Sequence, residues 1–276
     1  MSKKLIFVDI DGTLTAAGSN VPPQSALDAI RKAQAKGHKI FLCTGRNLDM
    51  LSPLLKYGFD GIVGSAGGYV QCGDEVIYDM PMTNEQRDVA LDLLHKNGVF
   101  CTIEAKDGSY GDDDLSTLLE DMGNEGNSEI QRWRKALAEN LNIVSMKDYD
   151  GRPVYKVVVM CREMSQLDEA KAALEDQFNF CMQEVKEHSC INGELINRAF
   201  DKGRGVERVC EYYGMSLDDT IGFGDSMNDL EMIETVGTSV CMDNGAAALK
   251  EISDIVCPAV EDDGLYKAFE QLGLME

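Results

Sequence analysis

Two aspartates, Asp9 and Asp11, stand two positions apart directly after the apolar run Leu5-Ile6-Phe7-Val8. A carboxylate can attack phosphorus to form an acyl phosphate, which splits one hard hydrolysis into two easier displacements. A second carboxylate two residues on can then divide the labour as an acid and base. Taken alone, the pair also fits an ordinary strand ending in an Asp-Gly turn. Three further segments decide between these readings. Thr44-Gly45-Arg46 follows the apolar run Ile40-Phe41-Leu42-Cys43, Lys202 precedes a helical stretch, and Gly224-Asp225-Ser226-Met227-Asn228-Asp229 follows Thr220-Ile221-Gly222-Phe223. Three strand ends thus present a carboxylate pair, a hydroxyl beside a guanidinium, and a second acidic group.

The elements that must hold these residues are legible from periodicity. Short apolar runs at 5–8, 39–43, 61–63 and 219–223 predict buried strands of a parallel sheet, whose chemistry gathers beyond the strands' carboxyl ends. Apolar spacing over 22–36 predicts a helix that Gly37 ends. Another helix is expected at 47–57, and Gly73-Asp74 predicts a tight hairpin across 69–78. Strand–helix–strand order implies parallel pairing with right-handed crossovers. After Pro81 the pattern changes: helix at 84–97, strand at 99–104, a helical stretch at 112–141 interrupted near Gly123-Gly126, strand at 154–160, helix at 165–176, strand at 179–185. From about 187 the core rhythm returns with a short strand pair, then helix 203–213, strand 219–223, helix 227–235, strands 238–241 and 254–257, and a terminal helix. The expected organisation is an α/β, doubly wound, Rossmann-like core made of 1–82 and 187–276, with an α+β domain inserted at 83–186.

In their order along the chain, Asp9-Ile10-Asp11-Gly12-Thr13, Thr44, Lys202 and Gly224-Asp225 through Asp229 resemble the four motifs of the haloacid dehalogenase superfamily: Asp-x-Asp-x-Thr, Ser/Thr, Lys and Gly-Asp-x-x-x-Asp. The position and α+β make-up of the insertion resemble the cap of subclass IIB, the Cof-like sugar-phosphate phosphatases. Cys241-Met242-Asp243-Asn244-Gly245-Ala246 is similar to the family's Met-Gly-Asn-Ala, and Ser65-Ala66-Gly67-Gly68 stands where the family usually shows Asn-Gly-Ala. The resemblance implies that Asp9 is the nucleophile. It implies that Asp11 protonates the leaving alcohol and then deprotonates the attacking water. Mg²⁺ would be held by the Asp9 carboxylate, the Asp11 main-chain carbonyl and Asp225, with Asp229 and Asn228 in support. Thr44, Gly45, Arg46 and Lys202 would bind the phosphoryl group, and Arg46 could instead only brace its loop. Gly12 permits the turn that brings Asp11 over the site, and Thr13 fixes it. The expected activity is Mg²⁺-dependent hydrolysis of a small phosphorylated metabolite, a sugar phosphate first, through an aspartyl-phosphate intermediate. A phosphomutase on the same scaffold and a phospho-accepting or ligand-binding module without turnover are the alternatives. The second fits less well, because none of Asp9, Asp11, Lys202 and Asp225 is lost.

Composition narrows the rest. With 26 Lys and Arg against 48 Asp and Glu, the net charge is −22, which disfavours nucleic acid and anionic membranes as partners. A cation and a few local positive groups must therefore hold any phosphate. No apolar stretch is long enough to cross a bilayer, and the chain enters its first strand too soon for a signal peptide. Nine cysteines without a Cys-x-x-Cys pair argue against zinc and suit a reducing, cytoplasmic setting. The chain is expected to be a monomer or weak homodimer. His38, His95 and His188 lack a Cys or Ser partner in any motif and are expected to be structural.

Overall fold

A computed structural model describes residues 2–113, 143–185 and 190–276. In chain order the first stretch holds β1 (Leu5–Val8), α1 (Gln24–Ala35), β2 (Lys39–Cys43), α2 (Leu48–Leu55), β3 (Gly61–Gly64), β4 (Tyr69–Cys72) and β5 (Glu75–Asp79). There follow α3 (Asn84–Lys96), β6 (Phe100–Ala105), β7 (Gly108–Gly111), β8 (Ile143–Ser145), β9 (Val154–Cys161), α4 (Asp168–Leu174), β10 (Phe178–Val185) and β11 (Cys190–Asn197). The last stretch holds α5 (Lys202–Tyr213), β12 (Thr220–Gly224), α6 (Leu230–Thr235), β13 (Thr238–Met242), α7 (Ala247–Ile252), β14 (Ile255–Cys257) and α8 (Gly264–Gln271).

The chain divides into two compact units. One comprises Met1–Arg46, Leu51–Asp79 and Phe200–Glu276; the other comprises Asn47–Met50 and Met80–Ala199. The first is built on an eight-stranded sheet ordered β14-β13-β12-β1-β2-β3-β4-β5. Its strands run parallel from β14 through β3, and the β4–β5 hairpin adds an antiparallel edge. β1 is wholly apolar and wholly buried, as a parallel strand covered on both faces must be. On one face Phe7 stacks on Phe41 with ring centroids 5.2 Å apart, and Val206 and Val209 of α5 pack with them. Gly37 closes α1 with φ +91°, a backbone state open to glycine at no steric cost.

The second unit is a six-stranded sheet ordered β10-β11-β9-β6-β7-β8, antiparallel except for the β7–β8 pair. Helices α3 and α4 cover one face: Ala90, Leu94, Ala170 and Leu174 pack against Ile103 and Val157. A reciprocal capping box between Thr83 and Gln86 starts α3, satisfying two otherwise orphaned N–H groups.

Most expected elements lie where periodicity puts them, and three differ. The strand after 187 does not open the core. β11 pairs with β10 over eight residues and with β9 over six, so it completes the second sheet. An apolar run specifies a strand without specifying which sheet it joins. The stretches 165–176 and 227–235 each begin with a 3₁₀ turn, Met164–Leu167 and Met227–Asp229, before the α-helix. The helical reading of 112–141 falls, from 114 onward, outside the described residues.

Candidate active site

β1 and β12 are neighbours in register, with Val8 opposite Phe223, so the residues just past each strand emerge at the same edge of the sheet. Asp9 leaves β1 with its N–H donating to the Phe223 carbonyl at 3.0 Å. Lys202 is the first residue of α5, whose N-cap Asp201 accepts the Arg204 N–H at 2.7 Å. This cap orients the helix start, and the lysine reaches into the cluster. Its Nζ donates to Asp9 Oδ1 at 2.7 Å, Asp229 Oδ1 at 2.5 Å and Asn228 Oδ1 at 3.3 Å. Lys202 is only 2% exposed and Asp229 0%.

The loop after β12 is organised by its own carboxylate. Asp229 Oδ2 accepts the N–H groups of Asp225 and Ser226 at 3.0 and 3.1 Å. Asp225 in turn accepts the Thr13 hydroxyl at 2.9 Å. Gly12 has φ +87°, and a Cβ there would lie 2.4 Å from Asp225 Oδ2; only glycine lets the two loops close on each other. Thr44, 2% exposed at the end of β2, accepts the Arg46 N–H on Oγ1 at 3.2 Å, which leaves its own proton to donate. Gly45 lies between them, half-buried.

Charge sets the character of the cluster. Burial pushes the Asp9 carboxyl well above the usual carboxylate range, with Asp229 adding to it and Lys202 opposing it. Burial and then Asp229 push Asp225 up to about 6, against the Thr13 hydrogen bond and Lys202. Lys202 is held above its ordinary value because the attraction of Asp229 and Asp9 outweighs its burial. Asp9, Asp225 and Asp229 bring oxygen ligands within 4.8 Å of one another, and one ammonium faces these three carboxylates. That formal excess of two negative charges, carried by oxygen donors alone, suits a hard divalent cation such as Mg²⁺. Asp229 is already engaged by Lys202 and two N–H groups, so Asp9 and Asp225 are the better placed to hold it.

Arg46 stands apart from Lys202. Its guanidinium clamps Asp11 with two bonds, Nε to Oδ2 at 2.8 Å and Nη2 to Oδ1 at 2.6 Å. Asn20 Oδ1 and the Ser19 carbonyl accept its other N–H groups. Three contributions escaped the sequence reading: this clamp, the Thr13 bond to Asp225, and Asn244. The Asn244 side chain donates to the Gly12 carbonyl at 2.8 Å and the Ala246 N–H to the Asp225 carbonyl at 2.7 Å. The stretch 241–246, similar to the family's Met-Gly-Asn-Ala apart from Asp243 and Gly245, carried the signal. Ser65, Ala66 and Gly67 all have positive φ. A Cβ on Gly67 would lie 2.1 Å from the Asp201 carbonyl oxygen, so this turn seats the start of α5. His38 is structural: Nδ1 accepts the Lys4 N–H at 3.0 Å. His188 lies outside the described residues.

Comparison with known proteins shows the family. The family model of haloacid dehalogenase-like hydrolases matches residues 6–269. The YkrA protein of Bacillus subtilis, provisionally named a phosphatase, is 28% identical over the full length of both chains. The 5-amino-6-(5-phospho-D-ribitylamino)uracil phosphatase YwtE of the same organism is 26% identical over 98% of each. Among solved structures, a haloacid dehalogenase subclass IIB sugar phosphatase superposes with a TM-score of 0.77 at 23% identity, covering 99% of this chain and 100% of the other.

Proposed function

Since the chain belongs to the haloacid dehalogenase-like hydrolase family and is a phosphoric monoester hydrolase, we propose that it cleaves a small phosphorylated metabolite, a sugar phosphate first, with Asp9 as nucleophile. The observation that carries this reading is the Lys202 ammonium buried between Asp9 and Asp229 with Asp225 alongside. A relative acting on a ribityl phosphate and a fold neighbour that is a sugar phosphatase support the substrate class.

In the first displacement an Asp9 oxygen bonds to phosphorus as the ester P–O bond breaks, and Asp11 gives its proton to the departing alkoxide. In the second, water attacks the aspartyl phosphate, Asp11 takes the water's proton, and the bond between phosphorus and Asp9 breaks to release phosphate. Lys202 holds Asp9 in place and faces the phosphoryl charge, while the Thr44 hydroxyl and the Gly45 N–H donate to phosphoryl oxygens. Asp9, Asp225 and the Asp11 main-chain carbonyl would hold Mg²⁺, whose charge would offset that of the phosphoryl oxygens. Arg46 holds the partly exposed Asp11 carboxylate, so acid–base work requires Asp11 to leave the clamp. Arg46 is then free to meet the phosphoryl group or to brace the loop. We assign the choice of the substrate's non-phosphate end to the inserted segment, read as 83–186. Cys43, Cys72, Cys101, Cys210, Cys241 and Cys257 carry free thiols, which supports a reducing, cytoplasmic setting.

The test is phosphate release from a panel of phosphorylated metabolites with Mg²⁺. Wild type should release phosphate from sugar phosphates, and Asp9→Asn should lose at least about 10⁴-fold, the scale of losing a nucleophile. Release that survives in folded Asp9→Asn, or release independent of any divalent cation, would overturn the reading.

A further inference from the structure

Outside that cluster, one other group of side chains among the described residues brings unlike metal-ligating atoms together. His95 stands near the end of α3, Cys101 on β6, and Asp112 just past β7. The imidazole nitrogen, thiol sulfur and carboxylate oxygen all lie within 4.8 Å of one another. Nε2 of His95 is 3.0 Å from Asp112 Oδ2, and that oxygen also accepts the Cys101 N–H at 2.7 Å, which fixes the carboxylate over the thiol. Cys101 is 1% exposed, whereas the His95 side chain is 41% exposed. The sulfur thus forms a buried floor and the imidazole an open rim. The thiol makes a long contact, 3.8 Å, with the Val99 carbonyl.

We propose that His95, Cys101 and Asp112 form a second cation site, selective for a borderline-soft divalent ion of the Zn²⁺ class, with solvent water as fourth ligand. Sulfur and imidazole donors favour Zn²⁺ over Mg²⁺, and the all-oxygen set of Asp9, Asp225 and Asp229 has the opposite preference. Tetrahedral Zn²⁺ with bonds of about 2.0 to 2.3 Å holds its ligands roughly 3.3 to 3.8 Å apart, within reach of the spacing seen here. On binding, the Cys101 S–H bond breaks, the sulfur–metal bond forms and the proton leaves to solvent. The ion would tie the end of α3 to the β6–β7 hairpin. The spacing is unlike any Cys-x-x-Cys pattern, which is why the sequence argued against zinc. The site is independent of the proposed hydrolysis.

Co²⁺ titration of the full-length, chelator-stripped chain tests it, because thiolate ligation gives a near-ultraviolet charge-transfer band that oxygen ligands do not. Wild type should show the band at one equivalent, and Zn²⁺ should displace it. Cys101→Ser should abolish it. His95→Gln, at an exposed position where folding is not at stake, should weaken Co²⁺ binding at least about tenfold while leaving Mg²⁺-dependent phosphate release unchanged. No band in wild type, or a band of unaltered affinity in His95→Gln, would overturn the site.

Discussion

Among the described residues, each unit of the molecule buries one lysine among carboxylates, and the two differ in what surrounds them. In the first, Lys202 meets Asp9 and Asp229 at 2.7 and 2.5 Å. In the second, Lys156 of β9 meets Glu194 at 2.6 Å and Glu104 at 3.2 Å. Both lysines are almost fully buried and both are held above their ordinary pKa by their acidic partners. Glu104 lies directly opposite Lys156 in the β6–β9 register, so that group is a cross-strand arrangement in mid-sheet. The partners of Lys202 come from the ends of parallel strands, and a third carboxylate, Asp225, joins them. Ser65, Ala66 and Asp263, the non-glycine residues with positive φ among the described residues, also belong to the Lys202 unit. A buried lysine between acids is therefore no mark of catalysis in itself. Strand-end convergence and an unbalanced third carboxylate are what distinguish the proposed active-site cluster.

That contrast can be broken most directly at the lysines themselves. Lys202→Met should lower kcat by about 10²–10³-fold, the scale of removing a preorganised donor. Lys156→Met should instead destabilise the fold by about 3 kcal/mol, since it leaves acids buried without their partner, and leave kcat of folded protein nearly intact. Steady-state kinetics with thermal melts would separate the two, and a comparable kcat loss in both would end the distinction. Next in size, Gly12→Ala should drive the Asp225 carboxylate from its place and weaken Mg²⁺ by about 10- to 100-fold. Calorimetric titration measures it, and an unchanged Kd would mean the loops need not close.

The smallest expected effect is on pH. Asp225 is raised to about 6 in the folded chain, so the metal-free fold holds this proton more tightly than the unfolded chain does. Its contribution to stability is fully present below about pH 4 and is lost as pH rises through about 6. A cation competing for the same carboxylate should lose about tenfold in affinity for each pH unit below about 6. Mg²⁺ titrations between pH 5 and 8 would show this, and a flat profile would remove Asp225 from the ligand set.

Much of this was legible in the chain itself. Apolar runs that end in Asp9, Thr44 and Asp225 specify parallel strands and the edge where they finish, because burial on both faces leaves no alternation to confuse the period. Gly12 and Gly37 announce backbone states that other residues resist. Partner choice is different in kind, since it depends on side-chain direction across long separations that no local pattern encodes. Arg46 turns to Asp11 and Asn20, and Asn244 reaches back 232 residues to the Gly12 carbonyl. β11 pairs with β9 and β10, and His95 meets Cys101 and Asp112. The sequence by itself determined most of the strands and the family, and singled out the carboxylates, through local propensity and motif order. Only the tertiary structure decided which carboxylate is clamped and which braces the lysine, because those partnerships follow from packing and from the charges burial brings together.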